Sequence, residues 1–352
     1  MDYLTPNPAF YGLPFSTDSF HGMPYRRLGN SGLRVSRVGL GTWKFGFPET
    51  GDESRVDAAM AMRIFDRAIE LGVTFWDTAN RYNNASGNSE RLIGRWFKAN
   101  PDQRRYVVVA TKMAGGMDGD SPNHSRLSRG NILDSVHASL QRMQLEYVDV
   151  LYFHRFDGEA PAEESLCAVE DLIRQGLVRH LAVSNFTVDQ LKLYRDLEQA
   201  ISPRVRVVAV QNKFDMLGGE SASARGVLDY CAATGLSFVP YSPLARGLLT
   251  DRYLDPAKVH KGDRLLDEGT LSRDITEPVL AVLRELAALA RSLDVELSQL
   301  ALAYTLSLPG MGPQIPSSST PEQLASNAKA ATVELPEEVR AKIRNLLQGI
   351  RG

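Results

Sequence analysis

The chain has 352 residues, and its 40 Lys or Arg against 42 Asp or Glu leave a formal net charge of −2 at pH 7. That length suffices for two average domains or for one large α/β barrel. The near balance of charge argues against binding to nucleic acid or to membrane surfaces, because both usually require a basic face. With only two cysteines, Cys167 and Cys231, a disulfide framework is excluded, so a reducing, cytoplasmic location is expected.

The amino-terminal residues 1–24 differ in composition from the rest of the chain. They contain no Lys or Arg and no apolar run, so neither a secretory signal nor a transit peptide is predicted. We interpret them either as a loosely ordered extension or as an arm that packs on a neighbour or over the site. No apolar run in the chain approaches the roughly 18 residues that span a bilayer, so no membrane partner is expected.

From residue 25 onward, short apolar runs alternate with longer amphipathic segments. The first two runs, 25–28 and 33–38, are predicted to form a hairpin because Asn30-Ser31-Gly32 between them is typical of a turn. The later runs are continuous, as expected for strands buried on both faces. Seven of these are clear and the last is weak: 38–40, 73–76, 107–110, 148–153, 181–183, 207–210, 238–239 and 313–315.

Helical periodicity separates these runs. Apolar residues recur every three or four positions within 132–143, 166–173, 188–194 and 279–290. Alternating strands and helices imply a parallel sheet, and eight such units predict an α/β fold, the (β/α)8 TIM barrel, with the hairpin closing its bottom. Since no linker divides the chain, we predict an extension over 1–24 and a single domain over 25–352. A long loop is expected at 247–270.

Polar side chains follow six consecutive predicted strands. In a parallel barrel the carboxyl ends of the strands converge on one mouth, where active sites lie. The residues at these ends are Asp77, Thr111, Lys112, His154, Ser184, Asn185, Gln211, Asn212, Tyr241 and Ser242. The sequence therefore predicts one functional site built from many strands.

Four side chains near this mouth suit acid–base chemistry. The phenol of Tyr82 has an ordinary pKa near 10, and the ammonium of Lys112 is expected to lower it by stabilising the phenolate. Asp77 would hold that ammonium in place, and His154 is expected to donate a hydrogen bond to a carbonyl oxygen. The set has no activated nucleophile, so it favours carbonyl reduction by a cofactor hydride, or the reverse oxidation of an alcohol.

Signatures of other enzyme classes are missing from the sequence. There is no G-x-S-x-G and no Gly-Lys pair, which argues against a nucleophile elbow and a P-loop. The six histidines lack the spacing of zinc ligands, and no C-x-x-C is present, so no metal is predicted.

A series of motifs resembles the aldo-keto reductase superfamily from about residue 25 to about residue 330. The matching segments are Gly39-Leu40-Gly41-Thr42-Trp43 and residues 75–82, 87–90, 110–112, 147–155, 183–186, 211–212 and 241–247. They look most like the bacterial branch related to potassium-channel β subunits and to sugar and aldehyde reductases. The resemblance implies a (β/α)8 barrel that reduces aldehydes or ketones. Its implied cofactor is NADP(H), with NAD(H) as the alternative.

The same resemblance implies a role for each matching residue. Tyr82 would be the general acid–base, assisted by Lys112, Asp77 and His154. Tyr241 would stack on the nicotinamide ring. The implied cofactor-binding residues are Gly41, Thr42, Trp43, Ser184, Asn185, Gln211, Tyr241, Ser242, Pro243, Leu244, Arg246, Ser317, Ser319, Gln323 and Asn327. Ser184, Asn185 and Gln211 would hold the nicotinamide carboxamide, and Arg246 would lie along the pyrophosphate.

The substrate pocket is predicted from residues around the same mouth. Its walls are expected to include Trp43, Phe45, Met113 and Arg155, with Arg81 as a further polar contact. This mixture admits aromatic aldehydes, small dicarbonyls or sugars. The natural substrate, the preferred direction and the oligomeric state stay open.

Two departures from the family pattern bear on these expectations. Ser319 stands where family members often have an Arg or Lys that grips the 2′-phosphate of NADP, so NADP is favoured but NAD stays open. Residues 83–86 lengthen the loop after Tyr82.

Three alternative functions stay open beside carbonyl reduction. They are a sugar or polyol dehydrogenase working in the oxidative direction, a redox-sensing NADP(H)-binding partner subunit, and a non-redox barrel lyase or isomerase.

Overall fold

The structure, a computed structural model, describes residues 4–202 and 204–351. Its strands are β1 (Ser19–Phe20), β2 (Met23–Arg27), β3 (Arg34–Ser36), β4 (Leu40–Gly41), β5 (Phe75–Asp77), β6 (Val108–Met113), β7 (Val148–Phe153), β8 (Val178–Ser184), β9 (Val207–Asp215), β10 (Gly219–Glu220) and β11 (Ser237–Tyr241). Its α-helices are α1 (Ala58–Glu70), α2 (Tyr82–Ala85), α3 (Asn88–Ala99), α4 (Arg129–Met143), α5 (Ala162–Arg174), α6 (Val188–Ile201), α7 (Val227–Thr234), α8 (Arg264–Asp267), α9 (Leu271–Asp274), α10 (Glu277–Ser292), α11 (Leu297–Leu306), α12 (Pro321–Lys329) and α13 (Glu337–Arg351).

The amino-terminal strands form a small antiparallel sheet in the order β1-β2-β3. β2 pairs with β3 so that Tyr25 lies opposite Ser36. β1 lies inside the segment expected to be an extension. It arises because His21 and Gly22 both have positive φ, 49° and 80°, which is the backbone of a two-residue hairpin turn.

The larger sheet runs in the order β4-β5-β6-β7-β8-β9-β11, with all neighbours parallel, and the short β10 pairs antiparallel with β9. The weak eighth run lies in residues 310–317, which are hydrogen-bonded on both sides. The N–H of Gly312 donates to the Phe238 carbonyl at 2.6 Å, and the N–H of Gly39 donates to the Gln314 carbonyl at 2.7 Å. The sheet is therefore curled, with helices packed around it.

The predicted helices at 132–143, 166–173, 188–194 and 279–290 are confirmed as parts of α4, α5, α6 and α10. α11 escaped prediction because all ten of its residues are buried, which leaves no polar face and no amphipathic period. The expected loop at 247–270 contains short 3-10 turns and α8. In the described part of the chain, no helix is long and apolar enough to cross a membrane.

The hairpin also contributes to the core of the larger sheet. Leu28 and Val35 are fully buried and cluster with inward-facing strand residues such as Val150 and Ala209. Closure of the barrel's bottom by the hairpin stays a prediction, which these contacts support.

Candidate active site

A cavity of about 1290 Å³ opens where the parallel strands end. Asp77, the last residue of β5, and Tyr241, the last of β11, line it, as do His154 just after β7 and Ser184 at the end of β8. These side chains come from positions more than 160 residues apart in the sequence. They meet because parallel strands present their carboxyl ends on one side of the sheet.

The side chains of Asp77, Lys112 and Tyr82 are hydrogen-bonded to one another. The Lys112 Nζ lies 2.5 Å from Asp77 Oδ1 and 2.7 Å from the Tyr82 hydroxyl oxygen. The Tyr82 hydroxyl lies 3.2 Å from the same carboxylate oxygen. Both ends of the ion pair are buried, so the pair is held in a low-dielectric environment.

Two further contacts fix the orientation of this group. The Thr78 carbonyl accepts a hydrogen bond from Lys112 Nζ at 2.8 Å. The amide of Gln211 donates to the second carboxylate oxygen, Asp77 Oδ2, at 2.8 Å. Gln211 was expected to hold the nicotinamide carboxamide, but the structure directs its amide N–H to Asp77 because β5 and β9 both end at this mouth.

The pKa of the Tyr82 phenol differs from the expectation. Burial and the nearby Asp77 carboxylate raise this pKa well above its ordinary value of 10. Burial also lowers the pKa of the Lys112 ammonium, although the Asp77 charge opposes that shift. The net shift of the Tyr82 pKa is therefore upward, with burial as its largest cause, and the lowering contribution expected from Lys112 stays a prediction. The phenol is protonated at neutral pH.

The His154 ring lies beside the phenol. The two ring centroids are 6.1 Å apart, with the rings nearly perpendicular. Burial, then the charges of Lys112, Arg155 and Arg81, lower the pKa of His154 to about 3. The imidazole is therefore neutral at pH 7, with one ring N–H to donate.

Several predicted cofactor-binding residues form a second polar group along the cavity wall. The amide of Asn185 donates to the His154 carbonyl at 2.9 Å and to Ser184 Oγ at 3.1 Å. The Tyr241 hydroxyl donates to Asn185 Oδ1 at 3.1 Å. Asn185 and Ser242 have positive φ, 60° and 56°, an uncommon backbone for these residue types. An aromatic ring beside amide and hydroxyl groups is a donor set that fits a nicotinamide ring with its carboxamide.

Comparison with known proteins agrees with this chemistry. The model of the Aldo/keto reductase family matches residues 37–348 of the chain. The chain belongs to the aldo/keto reductase family.

Relatives of this aldo/keto reductase span nearly its whole length. Aldo-keto reductase AFTS1 of Alternaria alternata is 32% identical over 341 residues, which cover 89% of this chain and 89% of the relative. The uncharacterized oxidoreductase YrpG of Bacillus subtilis strain 168 is 32% identical over 94% of this chain and 98% of its own length. A probable voltage-gated potassium channel subunit beta of Oryza sativa subsp. japonica is 30% identical over 93% of this chain and 97% of its own.

Membership confirms the resemblance on which the sequence interpretation rests. The aldo/keto reductases are oxidoreductases that act on carbonyl compounds, and they generally use NAD(P)H. Their fold is a (β/α)8 barrel, and the curled parallel sheet surrounded by helices agrees with it.

Further residues that the family resemblance implies for cofactor binding line the same cavity. Gly41, Trp43, Ser242, Pro243, Leu244, Ser317, Ser319, Gln323 and Asn327 all line it. Ser319 contacts Gln323 twice, through its N–H at 2.9 Å and its Oγ at 2.8 Å. Arg246 also lines the cavity, but its guanidinium is paired with Glu268 and Asp274. Its expected place along a pyrophosphate would require a change of partners.

Three expected site residues, Lys112, Met113 and Thr42, are buried and do not line the cavity. Met113 is 1% exposed and lies in the main apolar core, so its assignment to the substrate pocket is wrong. Met113 lies on the face of β6 opposite to Ala110 and Lys112, because alternate residues of a strand face opposite sides of the sheet. Thr42 is also buried, and its Oγ1 donates to the Asp77 carbonyl at 2.9 Å. It supports the strand that carries Asp77.

Other cavity residues were not found by the sequence analysis. They include Lys44, Arg55, Arg252, Arg264, Glu296, Ser298 and Ser326. Ser326 lies within α12 and the others lie in loops or at helix starts, outside the strand ends that guided the interpretation. A local sequence pattern does not indicate which loops fold back over the mouth.

Proposed function

We propose that this chain is an NAD(P)H-dependent reductase of aldehydes and ketones in which Tyr82 is the general acid. The observation that supports this role is the short contact of Lys112 Nζ with both the Tyr82 hydroxyl and Asp77. The phenol is protonated at neutral pH, so it has a proton to give. As that proton leaves, the ammonium 2.7 Å away stabilises the phenolate.

His154 orients the substrate in this proposal. Its neutral imidazole donates one hydrogen bond to the carbonyl oxygen, which places that oxygen between the ring and the Tyr82 hydroxyl. Asp77 keeps the ammonium in place, and Gln211 keeps the carboxylate in place. Among these protein groups only Tyr82 changes its charge, as it gives up its proton.

The cofactor would be held by residues that already line the cavity. Tyr241 would stack on the nicotinamide ring, while Ser184 and Asn185 hold its carboxamide. Ser242, Ser317 and Ser319 offer hydroxyls near the phosphates, and Asn327 lies by the adenosine. When bound, the reduced nicotinamide supplies the hydride to the carbonyl carbon. We propose NADP(H) as the preferred cofactor, with NAD(H) as the alternative.

The variant Tyr82→Phe tests the proposal. It should lose carbonyl reduction by about 10²-fold to 10⁴-fold in kcat/KM, because the general acid is gone. Cofactor binding should persist, since the phenol lies at the reacting end of the cavity. Steady-state rates with a panel of aldehydes and cofactor-induced fluorescence quenching measure the two properties. Tyr11→Phe is the matched control, since Tyr11 is 67% exposed and outside the cavity.

Two outcomes would contradict the proposal. Unchanged reduction by Tyr82→Phe would remove Tyr82 from its role. Tight cofactor binding by the natural chain without turnover of any aldehyde would favour a redox-sensing partner subunit. That hypothesis agrees with the name of the rice relative, a probable voltage-gated potassium channel subunit beta.

A further inference from the structure

Six arginines line the cavity: Arg55, Arg81, Arg155, Arg246, Arg252 and Arg264. Four of them are ion-paired with carboxylates of the segment 263–274. These pairs are Arg55–Asp267 at 3.3 Å, Arg246 with Glu268 and Asp274, Arg252–Asp263 at 3.2 Å and Arg264–Glu268 at 2.7 Å. Among the described residues, Arg81 and Arg155 have no carboxylate within ion-pair distance.

These two arginines flank the proposed reacting groups. Arg81 directly precedes Tyr82, and Arg155 directly follows His154. Arg81 donates a hydrogen bond to the Gly116 carbonyl, and its aliphatic stem lies where a Cβ on Gly115 would be, 2.4 Å from Arg81 Cδ. Gly115 also lines the cavity. Arg81 is therefore laid along the loop after β6, at the reacting end of the cavity.

Two acidic side chains of the neighbouring loops, Asp118 and Asp157, are engaged elsewhere. Asp118, after β6, pairs with Arg142 at 2.6 Å. Asp157, after β7, accepts the Leu127 N–H at 2.9 Å and lies 3.7 Å from Arg126. The local carboxylates thus leave the two positive charges uncompensated at the reacting end.

The effect of those charges is visible at His154. Both lower the pKa of its imidazole, together with burial and Lys112, which places them within electrostatic reach of the ring. A negative charge bound between them would find a positive field there. Guanidinium groups suit this purpose, because their planar N–H donors bind carboxylate and phosphate oxygens in pairs.

Resting on the proposed function, we propose that the substrate is an anionic carbonyl compound. Its carboxylate or phosphate binds Arg155 and Arg81 while its carbonyl oxygen lies between Tyr82 and His154. The carbon skeleton packs on Trp43 and Phe45, two aromatic side chains of the cavity wall.

Matched pairs of substrates test the inference. One pair is 4-formylbenzoate and 4-formylbenzamide, which have nearly the same shape and differ by one charge. The other is glyceraldehyde 3-phosphate and glyceraldehyde, which tests phosphate as the anion. We expect at least one anionic member to have a roughly tenfold or larger advantage in kcat/KM, carried mainly by KM, and a smaller advantage at high salt.

The variants Arg155→Gln and Arg81→Gln remove one charge each. Each should lower the ratio of kcat/KM for the preferred anionic aldehyde to kcat/KM for its neutral partner by roughly tenfold. Arg252→Gln is the control, since Arg252 lines the same cavity but is paired with Asp263. It should leave the anionic preference unchanged. Equal kcat/KM for charged and neutral partners in the natural chain would overturn the inference.

A binding measurement separates this inference from the proposed function. Calorimetric titration of the protein with 4-(hydroxymethyl)benzoate and with its amide needs no turnover. If neither aldehyde is reduced but the carboxylate binds and Arg155→Gln abolishes that binding, the proposed reduction fails and the anion site stands. If neutral aldehydes are reduced but neither anionic aldehyde has an advantage in kcat/KM over its neutral partner, the anion site fails and the reductase stands.

Discussion

In the proposed function, the choice between NADP(H) and NAD(H) depends on a single residue, Ser319. Ser319 is exposed at the cavity edge, just before α12, and both its N–H and its hydroxyl contact the Gln323 side chain. Backbone N–H groups before a helix attract phosphate without a cation. In the proposed cofactor site, a serine at this position would meet a 2′-phosphate without a charge-assisted pair.

Ser319→Arg should shift the preference toward NADPH. We expect the NADPH/NADH ratio of kcat/KM to rise by roughly tenfold, the size of one charge-assisted hydrogen bond to phosphate. Steady-state kinetics with both cofactors and one aldehyde give the ratio. Ser319→Gln is the control, because it adds length without charge. An unchanged ratio in the arginine variant would show that 2′-phosphate recognition lies elsewhere.

At the scale of elements, α3 and α4 pack closely around a glycine. A Cβ on Gly94 of α3 would lie 2.4 Å from the Arg142 carbonyl oxygen and 2.8 Å from the Met143 carbonyl carbon of α4. These are backbone atoms, which cannot turn aside as a side chain can. α3 also carries Glu90, whose carboxylate accepts hydrogen bonds from Thr111 and Arg142. The helix contact thus stabilises the strand that bears Lys112.

Gly94→Ala should therefore destabilise the fold by roughly 1–3 kcal/mol, as overpacking outweighs the gain in helix propensity. Gly130→Ala, in α4, is the matched control because a Cβ there meets nothing within 4 Å. It should be neutral or stabilising by up to about 1 kcal/mol. Thermal unfolding of both variants measures the difference. Equal stabilisation by the two substitutions would contradict the close packing.

At the scale of the whole molecule, the free energy of unfolding should depend on pH through His154. Burial and neighbouring cations lower the pKa of this imidazole from 6.5 to about 3 in the folded chain. The unfolded chain binds that proton near pH 6.5. Between these values the unfolded state binds more protons, so the stability that the neutral imidazole provides is lost as the pH falls.

Glu198 acts in the opposite direction, because burial raises its pKa from 4.5 to about 7 and the folded chain takes up its proton first as the pH falls. A comparison of variants isolates His154. Denaturant unfolding at pH 7 and pH 5 should show that the natural chain loses about 2 kcal/mol more than His154→Asn. An equal loss in both chains would rule out His154 as the titrating group.

Much of the candidate site followed from the sequence, for a topological reason. Residues after consecutive parallel strands must meet at one mouth, so Asp77, Lys112 and His154 could be placed together without coordinates. Tyr82 was placed with them from its loop after β5, whereas the roles of the cofactor residues came from the family motifs. Strands buried on both faces and amphipathic helices could be predicted from the sequence, whereas α11 could not because it is buried on all sides.

Only the tertiary structure determined the contacts between segments that are distant in the sequence. The sequence contains Arg246 and Asp274, but folding alone pairs them and leaves Arg81 and Arg155 without a carboxylate partner among the residues that the structure describes. Likewise, the direction of the Tyr82 pKa depends on its burial beside Asp77. The order of strands along the chain determines which residues meet at the mouth of the barrel, because each strand can be predicted from its own local sequence. The ion-pair partner of an arginine and the pKa of a buried phenol depend on interatomic distances and on the local dielectric. Loops that are far apart in the sequence determine both of these together.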